Sequence, residues 1–318
     1  MLMFDLDTDT GLGKALAADL DQELSPFERR AFEDGETKIR PLVDPRGDDI
    51  YVIQSLHGDE RYSPQDKLVA LLMFVATLRD HGADRVTAVV PYLAYARKDR
   101  RTKAFDPVGS RYVAQMLEQM GIAQLIVLEA HNPAALENSF RCPVTHLEGH
   151  RAFDSVADEF RSERLVVASP DPGGVKRAQL WCEHLAQRTG THVGFAMLDK
   201  RRSDDVVSGL TTVVGDVAGA TVLLIDDLIA SGHTLLRAAR PLREAGARRV
   251  VACAAHGLFV EGADHSLGDP SLDRVVVCDS VPAFRVSAAS ALHDKLQIVS
   301  CVPLFAEAVR DSHAAWCR

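Results

Sequence analysis

The sequence predicts an α/β protein built from two similar domains, each a mainly parallel sheet flanked by helices. Three observations predict it. The chain has 318 residues, enough for about two domains of roughly 150 residues. Short β-branched apolar runs alternate along it with helix-like segments. Two stretches, DHGADRVTAVVPYLAYARKDRR and REAGARRVVACAAHGLF, read as loose copies of one unit: helix end, Gly-Ala, basic residue, strand.

The strand-like runs are DIYVIQS (49–55), RVTAVVPY (85–92), QLIVLEA (124–130), RLVVASP (164–170), TVLLIDD (221–227), RVVACAA (249–255), RVVVCDS (274–280) and LQIVSCV (296–302). Strands that are apolar throughout belong in parallel sheets covered on both faces. The intervening segments carry helical periodicity. DKLVALLMFVATLRDHGA (66–83) repeats its apolar residues near i, i+3, i+4 and i+7, and LLRAARPLREAGA (235–247) ends, like it, in Gly-Ala. The domain boundary is expected near GHRAFD (149–154), giving domains over 1–148 and 149–295. The last strand and helix, 296–318, are expected to pack back on the first domain.

A composition of 47% hydrophobic and 25% charged residues excludes a disordered or fibrous chain. The net charge of −9 excludes a dedicated nucleic-acid binder, which needs a basic footprint. It leaves room for a small anionic substrate in a locally basic cleft. Cys142, Cys182, Cys253, Cys278, Cys301 and Cys317 show no CxxC pair and no metal-ligand spacing, so free thiols in a reducing compartment are expected. The first residues lack the order of a signal peptide, and no apolar run approaches the ~18 residues of a membrane span. The expectation is a cytoplasmic protein without membrane or nucleic-acid partners.

In open parallel sheets, ligands bind beyond the carboxyl ends of the strands. The loops there carry the informative residues. LLIDDLIASGHT (223–234) runs from an apolar strand through Asp226-Asp227 to Ser231, Gly232 and Thr234 at the start of a helix. Amides and hydroxyls at a helix N-terminus suit a phosphate monoester. The two carboxylates upstream suit a vicinal diol, and the pair of features describes a ribose 5-phosphate moiety. VVASPDPGGVKRA (166–178) places Asp171, a candidate Mg²⁺ ligand, before Gly173-Gly174, which allow close backbone approach to phosphate oxygens. PYLAYARKDRRTKAFDP (91–107) gathers Arg97, Lys98, Arg100, Arg101 and Lys103 after a strand, as a polyphosphate site would. LDKRRSDD (198–205) is a further basic run, and His131 follows QLIVLEA.

Together these strings resemble the ribose-phosphate diphosphokinase family, also called phosphoribosyl pyrophosphate synthetases, through nearly the whole chain and in the family's order. AFEDGETKIR is similar to the family's Phe-x-Asp-Gly-Glu segment, and PYLAYARKDRRTK to its Tyr-Ala-Arg-Gln-Asp run. SPDPGGVKRA, LDKRR and LIDDLIASGHT are similar to its pyrophosphate loop, catalytic loop and ribose-phosphate loop. The resemblance implies two phosphoribosyltransferase-like α/β domains. It implies transfer of the pyrophosphoryl group of ATP to the anomeric hydroxyl of ribose 5-phosphate, with Mg²⁺, giving phosphoribosyl pyrophosphate and AMP.

The resemblance also implies residue roles. Phe32, Asp34 and Glu36 would hold the adenine of ATP bound mainly to a neighbouring subunit, which requires a homo-oligomer. Arg97, Lys98, Asp99 and Arg100 would line the ATP site. His131 and Asp171 would sit at the Mg²⁺–phosphate centre, with Gly173 and Gly174 against the pyrophosphate. Asp226 and Asp227 would bind the ribose hydroxyls, and Ser231, Gly232 and Thr234 the 5-phosphate. Lys200 and Arg202 would stabilise charge on the transferring group. The chain departs from the family pattern at Lys98 for Gln, at Glu129-Ala130 for Asp-Leu, at Asn132-Pro133, at Ala230 for Asp and at His233 for Gly. Two other readings remain open: a regulatory, catalytically weak relative that associates with a synthetase, and a phosphoribosyltransferase.

Overall fold

The computed structural model describes residues 1–7, 10–200 and 211–318. The chain divides into two compact units, Met1–Glu148 with Cys301–Arg318, and Gly149–Ser300.

The first unit runs β1 (Leu2–Asp5), α1 (Leu12–Asp19), β2 (Phe27–Ala31), β3 (Thr37–Pro41), β4 (Asp49–Ile53), α2 (Pro64–Asp80), β5 (Arg85–Val90), α3 (Gly109–Gln119), β6 (Gln124–Leu128), α4 (Pro133–Ser139) and β7 (Val144–Leu147). Its main sheet has the order β1-β4-β5-β6-β7, and each pairing is parallel. β4 is buried along its whole length, with the apolar run 50–53 following the paired Asp49. α2 starts in a capping box: Ser63 Oγ accepts from the Asp66 amide while the Asp66 carboxylate accepts from the Ser63 amide, with Pro64 as the first helical residue. Leu68, Leu71, Phe74, Val75 and Leu78 then face the core with Phe4, Val52 and Val90. β2 and β3 form a separate antiparallel hairpin.

The second unit runs α5 (Asp154–Asp158), β8 (Leu165–Ser169), α6 (Val175–Thr189), β9 (Gly194–Lys200), β10 (Thr211–Val214), β11 (Thr221–Ile229), α7 (His233–Glu244), β12 (Arg249–Gly257), α8 (Ala263–Leu267), β13 (Arg274–Cys278) and β14 (Leu296–Val299). The sheet order is β10-β9-β8-β11-β12-β13-β14. All neighbours are parallel except β9 and β10. From β8 the chain moves outward to β9 and β10, then returns to place β11 on the other side of β8. The direction of winding therefore reverses between β8 and β11, which is where an open α/β sheet leaves a crevice for ligands.

The expectation that 296–318 returns to the first half needs a correction. β14 pairs in parallel with β13, from Val275↔Leu296 to Cys278↔Val299, and closes the edge of the second sheet. Only α9 (Val302–Trp316) belongs with the first unit. A strand must find a ladder partner for its amides and carbonyls, and the free edge of β13 supplies one. A helix satisfies its own backbone and can leave.

α9 is tied to the first unit by polar contacts at the amino ends of β4 and β5. Fully buried Asp49 takes Nε and Nη2 of Arg85, each at 2.7 Å, and lies 2.7 Å from His313 Nδ1. Arg85 also donates to the Tyr51 hydroxyl at 2.7 Å and to the Ser312 carbonyl at 3.1 Å. Trp316 Nε1 donates to Asp84 at 3.0 Å. Arg85→Met should leave the Asp49 carboxylate buried without its bidentate partner and lower the unfolding free energy by about 3 kcal/mol. Urea denaturation measures this, and a loss below about 1 kcal/mol would contradict the assigned role.

Candidate active site

The loop after β11 lies at the point where the winding reverses. Asp226 and Asp227 occupy the carboxyl-terminal part of β11, and the Asp227 amide donates to Asp226 Oδ1 at 2.9 Å. Asp227 is buried and Asp226 nearly so. Burial pushes the Asp226 carboxyl well above the usual carboxylate range, and the charge on Asp227 pushes it the same way. Arg177, whose Nη1 is 3.9 Å from both carboxylates, pulls in the opposite direction.

Gly232 turns the chain from β11 into α7. Its φ of 74° lies in the left-handed region, and a Cβ there would come within 2.6 Å of Leu267 Cγ. Glycine is required on both counts. Among the described residues no side chain caps the start of α7, and its first turn contains no acid. The leading amides and the positive end of the helix dipole are thus open to an anion. Ser231 stands at this end with its hydroxyl oxygen 2.8 Å from His233 Nδ1, and Thr234 follows in the first turn.

The neighbouring strand β8 ends in the second predicted loop. Asp171 Oδ1 accepts from the amides of Gly173 at 2.9 Å and Gly174 at 3.3 Å. Ser169 Oγ donates to the Asp171 carbonyl at 2.6 Å. A Cβ on Gly174 would lie 2.7 Å from that hydroxyl oxygen, so the turn closes tightly onto the end of β8. In this arrangement the two glycine amides face the Asp171 carboxylate. Arg177, on the first turn of α6, brings this loop to the acid pair of β11. Arg177 is not among the site residues that the sequence suggests; its signal is a basic residue in the first turn of the helix that follows the Gly-Gly loop.

In the first unit, the loops after β5 and β6 are joined. Asn132 Nδ2 donates to Asp99 Oδ2 at 2.7 Å, while Asn132 Oδ1 accepts from the Ala135 amide and caps α4. His131 precedes that cap on the exposed side. The basic cluster is more self-contained than its charges suggest. Lys98 Nζ lies 2.6 Å from Asp106 Oδ2, which also accepts from the Thr102 hydroxyl at 2.8 Å and from the amides of Thr102 and Lys103 at 3.1 and 3.0 Å. The Lys98 hydrogen bond, then the Thr102 ones, hold the Asp106 carboxyl far below its usual range. Arg97 and Arg100 are exposed.

Phe32, Asp34 and Glu36 form the tip of the β2–β3 hairpin. The Phe32 amide donates to the Glu36 carbonyl at 2.8 Å, and the Glu36 amide to Asp34 Oδ1 at 3.1 Å. The Phe32 ring is 43% exposed. Lys200 is the last residue of β9, and Arg202 lies outside the described residues.

One set of metal-ligand side chains occurs among the described residues at a place the sequence did not suggest: Asp7, His57 and Asp59. The ammonium of buried Lys67 already occupies it, 2.9 Å from Asp7, 2.7 Å from Asp59 and 3.2 Å from His57 Nε2. The sequence signal was a lysine at the start of the apolar helix DKLVALLMF.

Two parallel-sheet units, one presenting an acid pair and an uncapped helix N-terminus at a winding reversal, define a class: α/β proteins that bind phosphate esters of polyhydroxylated ligands. A family model described as the N-terminal domain of ribose phosphate pyrophosphokinase matches residues 1–121, and one described as a phosphoribosyl synthetase-associated domain matches residues 205–316. Ribose-phosphate pyrophosphokinase of Thermotoga maritima is 31% identical over 97% of this chain and 94% of its own. That of Helicobacter hepaticus is 34% identical over the same shares. The crystal structure of phosphoribosylpyrophosphate synthetase from Mycobacterium smegmatis superimposes with a TM-score of 0.85 over 99% of both chains, at 28% identity. The chain belongs to the ribose-phosphate pyrophosphokinase family. Among the described residues no helix is long and apolar enough to cross a membrane.

The raised Asp226 carboxyl has a consequence for stability. A carboxyl whose folded pKa exceeds its unfolded value of about 3.9 costs stability once pH rises above that value. Asp226→Asn should therefore raise the urea midpoint of the ligand-free protein at pH 8. The gain should shrink to nothing as pH falls below about 4. A pH-independent difference between the two proteins would show that Asp226 titrates normally.

Proposed function

We propose that this protein transfers the pyrophosphoryl group of ATP to the anomeric hydroxyl of ribose 5-phosphate. The observation that carries the reading is the open start of α7 beside Asp226 and Asp227, in a chain of this family. The sugar hydroxyl attacks the β-phosphorus. The bond from that phosphorus to the oxygen bridging to the α-phosphate breaks, AMP leaves, and the hydroxyl proton is lost. The product is phosphoribosyl pyrophosphate.

The amides of α7, with Ser231, Gly232 and Thr234, receive the 5-phosphate. Asp226 and Asp227 accept hydrogen bonds from the ribose diol. A diol bond to whichever of the pair is ionised is charge-assisted, and the diol replaces water lost from two buried acids. Arg97, Lys98, Asp99 and Arg100 line the ATP site. Lys98 must exchange its bond with Asp106 for one with a phosphate, an ion-pair swap in place of a fresh desolvation. Gly173 and Gly174 receive the pyrophosphate when their amides leave Asp171, and His131 is assigned to the phosphates of ATP.

Mg²⁺ fits the donors present. Asp171 offers carboxylate oxygen, and the mutually repelling pair Asp226–Asp227 would be relieved by a nearby cation. The ion would supply charge neutralisation on the phosphates. Lys67 fills the Asp7–His57–Asp59 cluster, which is therefore not that centre. Phe32, Asp34 and Glu36, on an exposed tip whose hydrogen bonds stay within its own turn, hold the adenine of a neighbouring subunit in a homo-oligomer. The free cysteines of the described chain agree with a cytoplasmic setting.

Incubation with ATP, Mg²⁺ and ribose 5-phosphate should yield AMP and phosphoribosyl pyrophosphate in equal amounts, with no AMP when the sugar phosphate is left out. Chromatography of the nucleotides decides it, and release of ADP would refute pyrophosphoryl transfer.

Lys200→Ala should lower kcat by at least ~100-fold, or ~2.7 kcal/mol, and change either KM by less than about threefold. In the ground state the phosphates are met by the Arg97 cluster. A cation that closes over the shifting charge adds stabilisation only in the transition state, and so appears in kcat. Near-normal turnover in steady-state kinetics would make LDKRR a solvated basic run.

A further inference from the structure

His233 replaces a glycine of the family pattern in the loop that receives the phosphate, and its ring does not hang free. Nδ1 is 2.8 Å from Ser231 Oγ, two residues back across the left-handed turn at Gly232. Ser231 is half-buried and His233, the first residue of α7, is exposed. The imidazole thus lies on the outer side of the hydroxyl.

The serine hydroxyl has one proton, and the 2.8 Å contact can use it in one of two ways. If Ser231 donates to Nδ1, its oxygen presents lone pairs to whatever sits at the start of α7. An anion there would be repelled. If Nδ1–H donates to Ser231 Oγ, the serine proton is released to point at the anion. The donation also polarises the O–H bond and strengthens the next hydrogen bond in the chain. The surroundings favour the second arrangement once a phosphate is bound, because the uncapped amides of α7 point the same way.

We infer that His233 is a positioning residue for ribose 5-phosphate: its Nδ1–H fixes the Ser231 hydroxyl as a donor to the 5-phosphate. This rests on the reading of the α7 loop as the ribose 5-phosphate site. Glycine at this position leaves the serine-type hydroxyl to rotate, whereas in this chain donation from Nδ1–H holds it toward the bound phosphate. Its effect falls on binding of the sugar phosphate and spares ATP and the chemical step, since the 5-phosphate is remote from the anomeric centre.

Three variants separate the proton donor from mere bulk. Asn places Nδ2 at the same number of bonds from the backbone as Nδ1, Leu keeps volume without a donor, and Gln carries its amide one bond too far. His233→Leu should raise KM for ribose 5-phosphate about tenfold and leave kcat and KM for ATP within about twofold, as expected when the Ser231 hydrogen bond to the ionised phosphate loses its fixed direction. His233→Asn should recover KM to within about threefold of the parent, and His233→Gln should behave like the Leu variant. Circular dichroism confirms that each is folded.

An unchanged KM in His233→Leu, or equal impairment in the Asn and Leu variants, overturns the inference while leaving the proposed reaction intact. Calorimetric titration with ribose 5-phosphate keeps the two claims apart. A parent protein that binds the sugar phosphate without forming AMP refutes the reaction, and the ratio of dissociation constants for the Leu and Asn variants still decides the role of His233. A parent that does not bind ribose 5-phosphate refutes both.

Discussion

Two adjacent carboxylates at the end of a buried strand are the constraint on which the rest of the second unit depends. Alternation along a strand would normally send Asp226 and Asp227 to opposite faces, and burying either is costly. The molecule meets the cost locally. The Asp227 amide turns onto Asp226, Arg177 reaches both from α6, and Asp226 is held toward its neutral form. Arg177 can reach because β8 and β11 are neighbours, and they are neighbours because the winding reverses there. The topology, the arginine and the acid pair are thus one arrangement. A ligand that offers two hydroxyls to these acids would relieve the repulsion between them.

The fold was legible in the long apolar runs. The apolar runs at 49–55, 85–92, 124–130, 164–170, 221–227, 249–255, 274–280 and 296–302 all contain strands. β2 and β3 were not readable, because FERRA and TKIRP form a two-stranded hairpin whose charged residues face solvent, leaving no apolar run to detect. β1 and β7 are four residues each and occupy sheet edges. The placement of 296–299 failed for a different reason: which sheet an edge strand joins depends on which edge is free, and sequence periodicity carries no information about that.

The site divides along the same line. Residues that act through the backbone, such as Gly232, were legible because left-handed turns restrict composition. Pairings between distant loops were not. Nothing in PYLAYARKDRRTKAFDP announces that Lys98 is bound to Asp106, and nothing links Asn132 to Asp99 across more than thirty residues. The departures from the family pattern make physical sense once paired. Lys98 brings a charge and Asp106 neutralises it. Asn132 both caps α4 and fixes Asp99.

A general feature emerges from these pairs. The protein is acidic overall, yet several cations among the described residues are paired with acids: Lys98 with Asp106, Arg177 with Asp226 and Asp227, and Lys67 with Asp7 and Asp59 in the buried cluster. An isolated cationic pocket would bind any phosphate that drifted in. A pocket whose cations are already paired must be offered something better than the resident carboxylate, and the advantage grows with the number of charges the ligand can bring at once. At the Lys98 loop the resident carboxylate, Asp106, is held by four donors, so only a ligand bringing several charges would displace it. Charge pairing of this kind would disfavour single anions relative to polyanions.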